Sequence, residues 1–165
     1  MTPHNRESEL SISTNVKLYE LPPDFTYEKF EQLKDKEKYL IDVGHNLAVD
    51  TGLQQILLLM IGSNTNSFTL CGVGTGTGTP VSTDNALGTS LGTNTINSRY
   101  RVGNTGYFNT FFGKSDENGS WTETGLFTAG SVMLCRRKFT STFVKSTSNS
   151  AIVSWSIALT ATADT

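Results

Sequence analysis

Few side chains in this sequence have both the type and the spacing for chemistry. The two histidines are His4, near the N-terminus, and His45, between Gly44 and Asn46. A Ser-His-Asp or metal constellation would have to be assembled around His45 alone, and the position reads as a polar turn. Cys71 and Cys135 are the two cysteines, too few for a disulfide framework or a zinc site. Each sits among apolar neighbours and reads as a small core residue, with a bridge between them open if their strands are adjacent. Asp116-Glu-Asn-Gly119 is oxygen-rich but lacks a calcium loop's ligand spacing, so it reads as a hairpin turn. Glu123 can accept strand-end hydrogen bonds or pair with Arg136 or Arg137, and no second acid is spaced to make an evident glycosidase pair. Arg136-Arg-Lys138 is the densest basic cluster, but on a strand Arg137 points opposite to its neighbours, which divides the patch. No catalytic residue, metal ligand or cofactor is assigned.

The stretch around which these residues must be placed is Leu70 to Thr89, where a short apolar strand runs into glycines at 72, 74, 76 and 78. Glycine at period two strips one face of an extended segment of side chains, allowing close backbone approach or a sharp bend. A phosphate loop is the functional alternative. The spacing is not G-x-G-x-x-G, no Gly-Lys-Ser/Thr follows, and the next residues form a Pro/Ser/Thr/Asp/Asn loop in place of a helix start.

The chain has 165 residues, formal charge −2 and a pI near 5.6. That balance indicates neither a nucleic-acid groove nor a polybasic membrane patch. The longest apolar run, Ile56 to Ile61, is far short of the roughly 20 residues that span a bilayer. The first residues show no charged-then-apolar leader, so the expectation is a soluble protein made in the cytoplasm. Composition shifts at Gly44: all 15 glycines lie from there onward, while residues 1–45 hold 6 of the 13 basic and 9 of the 15 acidic residues. The expected division is an N-terminal arm and helix over 1–45 and a structural domain over 46–165.

Within the first part, Leu10, Ile12, Val16 and Leu18 alternate with polar residues, the pattern of a half-buried strand, and Pro22-Pro23 ends it. A lone strand is not stable, so it lies on its own domain or pairs with a neighbour's edge. The assembly reading favours the neighbour. Thr26 to Tyr39 reads as a charged helix capped by Thr26, with Tyr27, Phe30, Leu33 and Leu40 as its apolar stripe. A second helix is predicted from Thr51, with Thr51 and Gln54 as a capping box. Its residues are apolar around nearly the whole circumference, which predicts burial.

From Phe68 onward the periodicity is two. A hairpin is predicted over 98–112 with its turn at Gly103-Asn104, a strand from Trp121 to Phe127, and a long strand from Val132 to Val144 bulged near Arg136-Arg137. Val153, Trp155, Ile157 and Leu159 form the cleanest amphipathic strand. Tyr107/Phe111 and Phe108/Phe112 occupy opposite faces of one strand, so one set faces the core and the other is free for a partner. The predicted fold is mainly β, an antiparallel β-sandwich with one buried helix, preceded by an N-terminal extended arm and a charged helix.

Val73-Gly-Thr-Gly-Thr-Gly-Thr-Pro-Val-Ser-Thr-Asp-Asn-Ala-Leu-Gly88 resembles a stretch in small structural proteins of tailed bacteriophages, of the tail-fibre, minor tail or neck-associated type. Gly119-Ser-Trp-Thr-Glu-Thr-Gly-Leu-Phe127 and Ile152-Val-Ser-Trp-Ser-Ile-Ala-Leu159 fit the same pattern. The resemblance covers roughly Asn46 to Ala161 and departs at Gly92-Thr-Asn94, where Arg or Lys is more usual. It implies a non-enzymatic virion subunit in the tail, neck/collar or fibre-attachment region, made in the host cytoplasm. It further implies contacts with copies of itself and with other virion structural proteins, while the charge balance calls for no nucleic-acid or membrane partner. Leu10, Ile12, Val16, Leu18, Tyr27, Phe30, Leu33, Tyr107 and Phe111 are the interface candidates. A capsid decoration or head-fibre protein is the alternative. A carbohydrate-binding receptor module, suggested by the aromatics at 100–112, is another.

Overall fold

The computed structural model describes residues 9–162. Ten strands form two five-stranded antiparallel sheets that pack face to face as a β-sandwich. The first sheet has the order β2 (Leu40–His45), β1 (Glu9–Leu21), β10 (Ser150–Thr162), β7 (Thr105–Phe112), β6 (Ser98–Val102). The second has the order β3 (Leu47–Ala48), β9 (Met133–Lys145), β8 (Gly119–Thr128), β4 (Phe68–Gly74), β5 (Ser90–Thr95). The period-two pattern of β10 is realised: Val153, Trp155 and Ile157 are buried between the sheets, with Ser154 and Ser156 on the outer face. Phe112, Trp121 and Phe143 form an edge-to-face series at the core, with ring centroids 4.9 and 5.4 Å apart.

The extended arm is a strand of its own domain. β1 pairs with β10 through 13 consecutive residues and with β2 on its other side. Val16 and Leu18 are fully buried in the sandwich core, which removes them as surface for a neighbour. Residues 9–45 supply two of the five strands of the first sheet. The composition shift marks where the chain passes from the first sheet to the second, between β2 and β3.

The charged helix is shorter than expected. Thr26 caps it as predicted, its hydroxyl accepting from the Lys29 amide at 3.3 Å, but α1 spans only Tyr27–Glu31. A single 3-10 turn follows at Glu37–Tyr39. The Phe25 and Tyr39 rings lie 5.7 Å apart, whereas a continuous helix would separate them by about 20 Å. Packing of both ends onto one apolar cluster therefore overrides the helical pattern.

The second helix, α2 (Asp50–Met60), starts one residue early and has no capping box. The Thr51 hydroxyl instead donates to the Met133 carbonyl at 3.2 Å. Gly52 and Gln55 are buried, with Gly52 against the Leu134 backbone, while Leu57, Leu58, Met60 and Ile61 are exposed. One side of the helix covers the end of the sandwich, and among the described residues no layer covers the other. Its end follows the sequence: Gly62 has φ +71°, and the Ser63 and Gly62 amides donate to Leu58 and Leu59 carbonyls.

The hairpin turns at Gly103-Asn104 as expected, with positive φ at Gly103. The bulge in β9 is displaced from its expected place. Arg136 and Arg137 pair regularly with Gly125 and Thr124, and the irregularities fall on either side of them.

Candidate functional site

Part of the glycine-rich stretch wraps a carboxylate. Glu123 of β8 is fully buried. It accepts hydrogen bonds from the amides of Gly76 at 2.8 Å, Thr89 at 2.9 Å and Gly88 at 3.1 Å. The Arg136 guanidinium adds a charge-assisted contact at 2.7 Å, and its other arm reaches Asp84 at 2.8 Å. A Cβ on Gly74 or Gly76 would run into the Glu123 carboxylate, so these positions must lack one. Burial alone would raise the Glu123 carboxyl, but the Thr89 and Gly88 amides and Arg136 outweigh it and hold it below its ordinary value of 4.5. Asp84 is likewise held down against its own desolvation, by the Val81 amide and Arg136. The amide contacts to Glu123 and the Arg136–Asp84 pair secure the loop over 75–89 to the sheet. The arrangement is a structural clamp.

Arg137 is turned the other way, as its strand position requires. It donates to the carbonyls of Val16 at 2.7 Å and Gly44 at 3.1 Å and pairs with Asp42, whose second oxygen accepts from the Thr140 amide at 2.6 Å. Both cysteines are free and buried, and desolvation raises both thiols. Trp155 Nε1 donates to Cys71 Sγ at 3.4 Å. The segment at Asp116 is not the expected hairpin turn, because β7 and β8 lie in different sheets; Asp116 braces that crossing, accepting from the Gly113 amide at 2.7 Å and from Asn94 at 3.1 Å. His4 lies outside the described residues, and His45 is exposed at the end of β2. Among the described residues no cluster of three His, Cys, Asp or Glu side chains could hold a metal ion, and no helix is long and apolar enough to cross a membrane.

Two of the surface depressions bear on function. The larger, about 840 Å³, lies at the end of the sandwich beside α2, where inner-face residues of the first sheet are left uncovered by the second. Leu10, Ile56, Leu59, Phe108, Ile157 and Leu159 make it apolar, and Arg99 and Arg101 stand among its lining residues. The smaller, about 650 Å³, lies on the outer face of the first sheet and is lined largely by polar groups and three tyrosines.

The interface candidates separate into distinct places. Tyr27, Phe30, Leu33 and Phe111 join Tyr19, Leu21 and Ile152 in one apolar cluster beneath α1, so they hold the α1 segment to the sheet. The Tyr27 hydroxyl donates to Ser98 Oγ at 2.6 Å. Leu10 lines the apolar groove, with Ile12 half-buried near it. Tyr107 borders both depressions. The outer-face residues Asn15, Asn109, Ser154 and Ser156 escaped the sequence reading, although serines alternating with Val153, Trp155 and Ile157 mark an outward polar row.

Compared with family models, curated proteins and solved structures, the chain gives no significant match to any of them.

Proposed function

We propose that the protein is a non-enzymatic structural subunit of a tailed-bacteriophage virion that assembles with further copies of itself. The setting comes from the resemblance of the 73–88, 119–127 and 152–159 stretches. The single observation that supports assembly is the apolar end of the sandwich. There a concave apolar groove lies beside a helix whose outer side projects Leu57, Met60 and Ile61, with Met60 73% and Ile61 71% exposed. A second copy offers both the projection and the recess, so paired copies cover apolar surface that one copy leaves in water.

Light scattering of the full chain at several concentrations tests the assembly. A mass of several chains that falls toward one chain in the Leu57→Glu/Met60→Glu variant supports it. A single-chain mass at every concentration overturns it. The setting is tested by mass spectrometry of purified phage particles, where a fixed copy number supports it and absence from the particles overturns it.

A further inference from the structure

The outer face of the first sheet is only half covered. The segment between β1 and β2 packs over Tyr19, Phe111 and Ile152 and stops there. Beyond it two lateral rows of side chains cross all five strands, mostly half-buried or exposed, with Asn109 buried among them and Ser98 under the Tyr27 hydroxyl. Strand register places Tyr100, Tyr107, Ser156, Asn15 and His45 in one row, and Ser98, Asn109, Ser154, Lys17 and Val43 in the next. The middle of both rows is serine and asparagine, so the surface sinks there between the tyrosines on one side and the α1 segment on another. The result is a trough of about 650 Å³, inside the range of roughly 300–1,000 Å³ usual for small-molecule sites.

Its chemistry is specific. Tyr100 and Tyr107 stack in parallel, with centroids 5.0 Å apart and planes 13° apart, so Tyr100 covers one face of Tyr107. Across the opposite side of Tyr107 stands Ser156, too small to cover that ring. Next to this aromatic wall is a polar floor already held in place. Ser154 donates to Asn109 Oδ1 at 2.6 Å, and Asn109 Nδ2 donates to Ser98 at 3.3 Å. Among the described residues no intramolecular hydrogen bond uses the side chains of Asn15, Tyr107, His45 or Ser156, all of which line the trough. Its cations are engaged: Lys17 pairs with Glu37 at 2.6 Å, and Lys36 Nζ sits 5.3 Å from the Phe30 ring centre. Glu31 offsets the remaining charge. An aromatic platform beside fixed amides and hydroxyls, without a spare cation for a phosphate, fits a ring that is apolar on one face and hydroxylated at its rim.

We infer that this trough is a binding site for a neutral oligosaccharide, with a pyranose ring stacked on Tyr107 and its hydroxyls bonded to Asn15 and Ser156. The site adjoins the apolar end of the sandwich, with Tyr100 and Tyr107 bordering both, but the inference does not rest on the assembly reading. The test is binding of the full chain to an array of immobilised neutral and anionic oligosaccharides, followed by titration of the best neutral one. Three variants accompany it: Tyr107→Ala, Tyr107→Phe as the variant that keeps the platform, and Ser156→Phe, which fills the floor. Thermal melting of each verifies folding. Binding to a neutral saccharide that weakens about tenfold or more in Tyr107→Ala and Ser156→Phe, and survives in Tyr107→Phe, supports the inference. If Tyr107→Ala does not fold, Ser156→Phe decides. Binding unchanged in Ser156→Phe, binding to anionic saccharides alone, or no binding to any saccharide on the array overturns it.

Discussion

Arg137 on β9 of one sheet is paired with Asp42 on β2, the edge strand of the other. Both are almost completely buried, with side chains 4% and 6% exposed. The guanidinium also satisfies the Val16 and Gly44 carbonyls, so one side chain fastens the place where the chain crosses between sheets. Removing one partner leaves a buried charge without its counterpart. Asp42→Ala is expected to cost about 3–5 kcal/mol in urea denaturation. The double replacement Asp42→Leu/Arg137→Met is expected to cost less than Asp42→Ala alone, because it leaves neither charge stranded.

The clamp around Glu123 predicts a contrast between two glycines of the same repeat. Gly76→Ala places a methyl against the Glu123 carboxylate and is expected to destabilise by about 1–3 kcal/mol. At Gly78 a Cβ meets nothing within 4 Å, and Gly78→Ala is expected to be near neutral. Chemical denaturation of the two variants measures the difference, and equal costs would refute the clamp as the reason for the glycines.

Acid should open the same clamp. The folded Glu123 and Asp84 carboxyls sit below their ordinary values of 4.5 and 3.8. Their contribution is complete above those unfolded-state values and is lost as the pH falls through the lower folded ones. Glu123→Gln should reduce stability at pH 7 by about 1–3 kcal/mol and flatten the acid limb of the curve. Thermal melts of both proteins between pH 7 and pH 2 test this. A parallel loss in the variant would remove Glu123 from the acid transition.

The thiols give a readout of global opening. Cys71 and Cys135 have no exposed surface, and burial raises both above their ordinary value, so neither offers a thiolate to reagent in the folded state. An aromatic disulfide reagent is expected to find no reactive thiol in the native protein and two in denaturant. Fast labelling of the folded protein would contradict this placement.

How much was legible depended on whether the signal was local. The alternation at 153–159, the Gly103-Asn104 turn and the Gly62 stop were readable because adjacent residues specify them. The role of Glu123 was half visible: its motif singled it out, but its donors come from positions 76, 88 and 89, far off in sequence. The partner of β1 was not readable, since Leu10 to Leu18 specifies a strand without naming its neighbour. α2 misled for a different reason. All-round apolarity predicts burial within a single chain, whereas here Leu57, Met60 and Ile61 face outward. The trough on the outer face of the first sheet was hidden because its rows are lateral: Tyr107, Ser156, Asn15 and His45 adjoin through strand register alone.

That register has a consequence for how the chain is made. β10 is the middle strand of the first sheet, lying between β1 and β7, yet it is the last of the ten strands to leave the ribosome. Until residues 150–162 emerge, β1 with β2 and β6 with β7 are separate ribbons with exposed edges. All strands of the second sheet have already been synthesised. The nascent protein therefore waits with half of its sandwich unclosed, a period in which neighbouring chains can pair edge to edge. Arrival of the final strand joins the ribbons, seals Trp155 against the core and ends that exposure.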